Sequence, residues 1–266
     1  EVTTLYNEVY CVPTIVPTAN FNTVIYSGDG NNRDIDAGLE SDFVWIKERS
    51  DSAGYWHYLF DSIRGGNKPL HSNATNPESV NDNNGYLSSF NNDGFSITSG
   101  SLGMNALNGS GKTYVAWNWY APTAETNTSG SVNSTIKKNV DAGFSIVKST
   151  TTGSNYTVGH GLSQRPQIVF NKNLNRSDAS YGQWWTWIEG VTGTNGDYIR
   201  LNGTSAKAAF SDTFTTDTTI KYHTGFQAPS VNESIISYAF HSVDGMSRVG
   251  SYVGGGSTDV PIILGF

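Results

Sequence analysis

Tandem antiparallel β-sandwiches, jelly-roll or lectin-like in plan, are the fold that this sequence predicts, and three observations carry the prediction. The first is an internal repeat: Asp42-Phe43-Val44-Trp45-Ile46-Lys47 returns as Gln167-Ile168-Val169-Phe170-Asn171-Lys172, and Tyr114 to Trp119 lies over Ile235 to Phe240. Phe21 to Gly28 likewise lies over Phe144 to Gly153. The offsets are 123 (from 21 to 144), 125 (from 47 to 172) and 121 (from 114 to 235), so insertions fall between matched segments. The second is composition, with 12% aromatic residues, including 7 Trp and 14 Tyr, but only 15% charged. Gly, Asn, Ser and Thr are abundant and helix formers scarce, the profile of short strands joined by turns. The third is period-two alternation in short runs closed by Gly and Asn, as in Thr23-Val24-Ile25-Tyr26 before Ser27-Gly28-Asp29-Gly30.

Taken in order, residues 1–20 read as an extended segment in which a strand-like run from Leu5 to Val12 meets Pro13 and Pro17. Cys11, the single cysteine, has no internal partner and reads as a small buried hydrophobe. A first sandwich is expected over 21–122, with strands at Thr23–Tyr26, Phe43–Lys47, Tyr55–Phe60, Leu70–Ser72, Leu87–Phe90, Phe95–Ile97 and Thr113–Trp119. Residues 123–142, rich in Thr, Ser and Asn, read as a linker or an edge strand. A second sandwich follows over 143–242. Residues 243–266 open a third copy, Val249-Gly250-Ser251-Tyr252, as a strand pair without a body, so the whole is expected as a rod-like or beaded tandem.

Charge and hydropathy exclude some partners. A net charge of −7 and a pI near 5.1 without a basic stripe disfavour nucleic acid. No apolar run reaches the roughly 18 residues that a membrane-spanning helix needs, so membrane insertion is not expected.

The ordered motifs D-F-V-W-I-K (42–47), F-D-S-I-R-G (60–65), S-F-x-x-D-G-F (89–95), Y-V-A-W (114–117), D-A-G-F-S-I-V (141–147), V-G-H-G-L (158–162) and Y-I-R-L-N (198–202) carry a resemblance across the chain. It resembles a tandem repeat domain of structural and tail-fibre-like proteins of marine bacteriophages, often found after a laminin-G or concanavalin-like lectin domain. Leu5-Tyr6-Asn7-Glu8 looks like the last strand of such a domain. The resemblance implies a virion-surface or extracellular setting, with copies of the chain and other virion proteins as partners.

Candidate chemistry centres on aromatics. Trp184-Trp185-Thr186-Trp187 with Tyr181, and Tyr55-Trp56-His57-Tyr58 in the matching place of the first unit, could stack on the apolar face of a sugar ring while Asn and Gln bond its hydroxyls. Alternation is read as placing Trp185 on one face and Trp184 with Trp187 near the other, so that one of Trp184 or Trp185 reaches solvent. Core packing is the competing account, above all for Trp56 and Trp187. The expected ligand-binding residues are therefore Trp184, Trp185, Tyr181, Trp56 and His57.

Catalytic and metal patterns are weak. Asp61, Asp93, Glu189 and Asp197 are scattered rather than paired for glycoside hydrolysis, and Asp61 with Arg64 reads as a turn-fixing pair. Asp29 to Asp36 and Asn81 to Gly85 space oxygens as calcium loops do, but Arg33 stands where a ligand should fall, and plain turns are the simpler reading. The histidines show no zinc spacing, and no metal or cofactor is expected. Gly109-Ser110-Gly111-Lys112-Thr113 lacks the first glycine of a phosphate loop. The expected function is a non-enzymatic virion structural protein, in a tail fibre, spike or capsid decoration, that engages surface carbohydrate. A homopolymeric fibre assembled by strand exchange is the alternative, and a glycan-degrading enzyme is disfavoured.

Overall fold

A short 3-10 turn at Pro17–Ala19 leads into β1 (Phe21–Ser27), β2 (Arg33–Asp36), β3 (Phe43–Glu48), β4 (Tyr58–Asp61), β5 (Gly65–Leu70), β6 (Tyr86–Asn91), β7 (Gly94–Thr98) and β8 (Thr113–Trp119). After the hairpin β9 (Thr123–Asn127) and β10 (Ser134–Asn139) come β11 (Phe144–Thr152), β12 (Tyr156–Gly159), β13 (Ile168–Asn173), β14 (Trp184–Ile188), β15 (Ile199–Arg200), β16 (Thr219–Tyr222) and β17 (Val231–Phe240). The computed structural model describes residues 15–50, 55–79, 83–104, 106–189, 197–210, 212–256 and 261–262. Cys11, the run from Leu5 to Val12 and part of the Asn81 to Gly85 loop lie outside them.

The fold is all-β and antiparallel. Its strands form a five-stranded sheet ordered β1-β8-β3-β4-β5, a seven-stranded sheet ordered β15-β14-β13-β17-β11-β10-β9, a three-stranded sheet β2-β7-β6 and a two-stranded sheet β12-β16. The sequence repeat is also a repeat of topology. The last strand of each unit slots between its first and third, so β1-β8-β3-β4-β5 matches β11-β17-β13-β14-β15 position by position. Registers agree as well: Trp119 pairs with both Phe21 and Phe43, and its counterpart Phe240 pairs with both Phe144 and Ile168. Residues 123–142 are the β9–β10 hairpin, which extends the edge of the seven-stranded sheet through β10–β11 pairing.

Alternation along each strand sends side chains to two different cores. Val44, Ile46, Phe60, Tyr114 and Ala116 meet Ile35, Leu87, Phe95 and Ile97 of the three-stranded sheet. Val147, Val169, Trp187, Ile235 and Ala239 meet Tyr156, Val158, Ile220 and Tyr222 of the two-stranded sheet. The opposite faces of the two large sheets pack against each other: Phe43, Leu59, Leu70 and Ala121 of the first unit share a core with Phe144, Ile146, Trp184, Ile236 and Tyr238 of the second. Phe43 stacks on Tyr238 at 4.2 Å between ring centroids. The order of layers is thus three, five, seven and two strands. The expectation of separate beads is corrected by this middle core, because each large sheet has two apolar faces and the outer sheet covers only one.

Polar ties cross the middle core. Asp61 and Arg64 are buried and paired, Arg64 Nε donating to Asp61 Oδ2 at 2.5 Å while Arg64 N donates to Oδ1 at 2.9 Å and fixes the turn. Tyr238 Oη of the second unit donates to the same Asp61 Oδ2 at 2.7 Å, and burial holds its phenol well above the ordinary pKa range. Arg64 is further satisfied by the carbonyl of Lys68 at 2.6 Å and that of Leu59 at 3.2 Å. Elsewhere Lys137 pairs with buried Asp42, and Trp184 Nε1 donates to the His71 carbonyl at 2.8 Å. The repeated lysines both cap carbonyls. Lys47 reaches Tyr55, whereas fully buried Lys172 reaches Asn173 and Arg176 at 2.9 Å and crosses to Thr75 at 3.2 Å.

The C-terminal stretch differs from expectation. Val243 and Ser247 exchange backbone bonds in a turn, and no strand occurs among the described residues after Phe240. Among the described residues no strand pairs with this stretch, and Tyr252 and Val253 are exposed.

The shared core makes three outcomes measurable. Urea unfolding monitored by tryptophan fluorescence and by far-UV circular dichroism should give one coincident transition for both units. Asp61→Ala should lower stability by about 3 kcal/mol, because it removes the fully buried partner of Arg64 and leaves only the partly exposed Glu78 carboxylate, 3.3 Å away, to balance its charge; Tyr238→Phe should cost about 1.5–3 kcal/mol.

Candidate functional site

The residues that sequence reasoning singled out do not form one surface. Trp184 is fully buried in the middle core, and Trp185 and Trp187 are buried on the other face of β14. The expected solvent exposure of Trp184 or Trp185 is therefore corrected, as is the pairing of Trp184 with Trp187: residues two apart share a strand face, so Trp187 goes with Trp185. Trp185 is closed in by Tyr198 and Phe226, both with ring centroids at 4.8 Å, and by the Arg200 guanidinium over its ring. Tyr181 stands apart, half-buried, with Arg176 over its ring. Trp56 is the exposed one, at 45%, edge-on to the His71 ring. His57 is half-buried and accepts at Nδ1 a hydrogen bond of 2.8 Å from Trp45 Nε1.

Trp45 leads to the better site. It lines an apolar groove of about 360 Å³ at the seam between the two large sheets. Phe21 and Trp119 wall the groove from the first unit, and Ile168, Phe170 and Phe240 from the second. Trp45 and Trp117 meet edge to face at 6.1 Å on the same sheet surface. Met246 and Val249, from the turn after β17, close one end.

A second, polar cavity of about 660 Å³ adjoins it, and His241 lines both. Its walls come from four loops: Asp141 between β10 and β11, Gln164 to Gln167 before β13, Glu189 after β14, and Ser242 to Asp244 with Arg248 after β17. Asp217 completes the rim. Gly143, in the D-A-G-F motif, explains the close fit of the first loop: at φ +65° it leaves room where a Cβ would stand 2.8 Å from the His241 ring. His241 is only 4% exposed. Its Nδ1 lies 2.7 Å from Gln164 Nε2 and 2.9 Å from the Ser242 carbonyl, and its Nε2 has no hydrogen-bond partner. Arg165 stacks over Trp187 at 4.8 Å and donates from Nε to Thr215 Oγ1, leaving Nη2 buried without a partner.

Chemically, an aromatic groove beside a wall of amides, carboxylates and guanidinium groups suits a ligand with one apolar face and many hydroxyls. The acids expected to be scattered are mostly engaged elsewhere, Asp61 with Arg64 and Asp197 with Lys207 at 2.6 Å. Glu189 alone joins the cavity. The loop at Asp29 is a turn, in which Asp29 Oδ1 accepts from Asn31 N and Asn108 Nδ2 while Arg33 lies 3.4 Å from Oδ2. Among the described residues no group of three His, Cys, Asp or Glu is placed to hold a metal ion, and no helix is long and apolar enough to cross a membrane.

Residues 16–266 match the family DUF7483, described as a domain of unknown function, and the chain belongs to it. That match spans both units and the hairpin between them. No curated protein and no solved structure matches the chain.

Two buried histidines make the fold acid-sensitive. His71, below the middle core, and His160, which accepts from Leu162 N at 3.1 Å, are each held down to about 4 by desolvation. As pH falls below 6.5 the unfolded chain takes up these protons first, so stability should drop between pH 6.5 and 4 and be level in this respect above 6.5. Urea midpoints against pH should show a slope of up to about 1.4 kcal/mol per pH unit for each histidine, and His160→Asn should flatten it.

Proposed function

We propose that this DUF7483 member is a non-enzymatic structural module of a phage particle, in a tail fibre, spike or capsid decoration, that engages surface carbohydrate at the seam between its two units. The observation that carries the binding part is the pairing of the Trp45, Trp119 and Phe170 groove with the polar cavity around His241. Sugar rings present apolar faces to aromatics and hydroxyls to fixed polar groups, and the two halves of the cleft supply those in order. The virion setting is supported by the ordered motifs from Asp42 to Asn202, and the shared core supports a stiff structural role, because neither unit can move without breaking it.

The test is a glycan array probed with the purified chain, followed by titration of the best binder. Trp45→Ala, at a half-buried site, should weaken binding about tenfold through lost stacking, and the glycan should be recovered at unchanged length. A silent array, together with particles that infect normally without the protein, would sink the reading.

A second reading is favoured by the exposed tail. Among the described residues the outer edge of β1 is unpaired, Ile25 on it is exposed, and Tyr252 and Val253 join no sheet. A strand from a neighbouring copy would satisfy both. Light scattering with and without residues 250–266 distinguishes the two: open-ended polymers lost on deletion favour an exchanged fibre, and a discrete oligomer that survives deletion excludes it.

A further inference from the structure

The polar cavity has a charge pattern that narrows its ligand. Asp141, Glu189, Asp217 and Asp244 line it, and among the described residues none of their carboxylates has an ion pair or hydrogen bond. Arg165 and Arg248 are the lining cations, so four carboxylates against two guanidinium groups leave a net charge of −2. Arg165 is committed to the Trp187 ring and Thr215, with its free Nη2 buried rather than presented. The second observation is independent of this acidity. His241, almost wholly buried, is the wall common to the cavity and the aromatic groove, and its Nε2 is left without a partner.

Unpaired carboxylates around a concave site with low-dielectric aromatic walls attract cations and repel anions. An acidic sugar would bring like charge to four acids, whereas a neutral sugar would leave them without a counter-charge. A sugar bearing a free amine satisfies both halves at once: the ring lies on Trp45 and Phe170, and the ammonium donates to the carboxylates.

We propose that the seam cleft selects glycans carrying free amino groups, of the glucosamine class, over their N-acetylated and acidic counterparts. This rests on the carbohydrate reading above. It assigns the aromatic groove to general affinity and the acidic rim to selection, with Asp141, Asp217 and Asp244 as the exposed selecting residues and Glu189 as the half-buried one.

The experiment is calorimetric titration of the full chain near pH 6, where an amino sugar is protonated. The probes are a glucosamine pentamer, its fully N-acetylated counterpart and a uronic acid oligomer of equal length. The amino form should bind at least about tenfold tighter than the N-acetylated form, and raised salt should weaken it. Asp141→Asn with Asp244→Asn, two exposed positions outside the three cores, should erase the preference by lowering the affinity for the amino form toward that for the N-acetylated form. Trp45→Ala should weaken the amino form as well. Equal or tighter binding of the N-acetylated or acidic oligomer would overturn amine selection while leaving the carbohydrate reading standing. If none of the three binds but another glycan on the array does, amine selection alone falls. If no glycan binds at all, both fall.

Discussion

One constraint shapes the whole molecule: two aromatic sheet faces are buried against each other around a guanidinium that water cannot reach. Apolar contact between Phe43, Phe144, Trp184 and Tyr238 supplies the drive, but it is non-directional and would tolerate many dockings. Arg64 does not tolerate them. Its charge is acceptable in the interior only while Asp61, Glu78 and the carbonyls of Leu59 and Lys68 surround it, and Tyr238 completes the set from the opposite unit. A slipped docking would strand polar atoms in a dry core, so the network selects one arrangement from those that the aromatics permit. Lys172, whose ammonium reaches the Thr75 carbonyl, and Lys137, paired with Asp42, apply the same restriction farther out.

Much of the architecture was legible from local pattern. Alternation bounded by Gly and Asn identified β8 at Thr113–Trp119, and the repeat placed Trp119 over Phe240 before any pairing was known. What local pattern cannot carry is how many faces of a sheet are covered. Trp184 and Trp185 point to opposite sides of β14; an exposed platform follows if one side is wet, and two cores follow if both are dry. The deciding fact is the docking of β3 and β8 against β11 and β17, a contact between residues some hundred positions apart. The cleft was hidden for the same reason. Trp45, Asp141, Arg165, Glu189, Asp217 and His241 belong to six separate stretches that only the seam unites. The one local signal was glycine: Asp141-Ala142-Gly143 marks a loop whose backbone must press against His241.

The place of the cleft follows from the way twisted sheets meet. Two such faces touch fully only near their crossing and diverge toward the ends. Where they diverge, aromatics that would otherwise be buried remain within reach of a ligand, as Trp45 and Phe170 do, and the connecting loops crowd in beside them. Rigid walls come from the cores behind, since Val44 and Ile46 alternate with Trp45 and Val169 and Asn171 with Phe170. The loops hold the variable polar groups, so the chemistry of recognition can change without disturbing the packing.

Strand order also sets a schedule for synthesis. β1 waits for β8, and β11 meets β13 only through β17, because the strand that joins the first and third strands of each unit is the last of that unit to leave the ribosome. Even when the first sheet closes at Trp119, its face bearing Phe43, Leu59 and Leu70 stays uncovered until Phe240 has been made. A growing chain therefore carries a greasy, unpartnered sheet through the translation of more than a hundred residues, the kind of intermediate that draws chaperones and aggregates when crowded. Expression of the first unit by itself would freeze the protein at that stage.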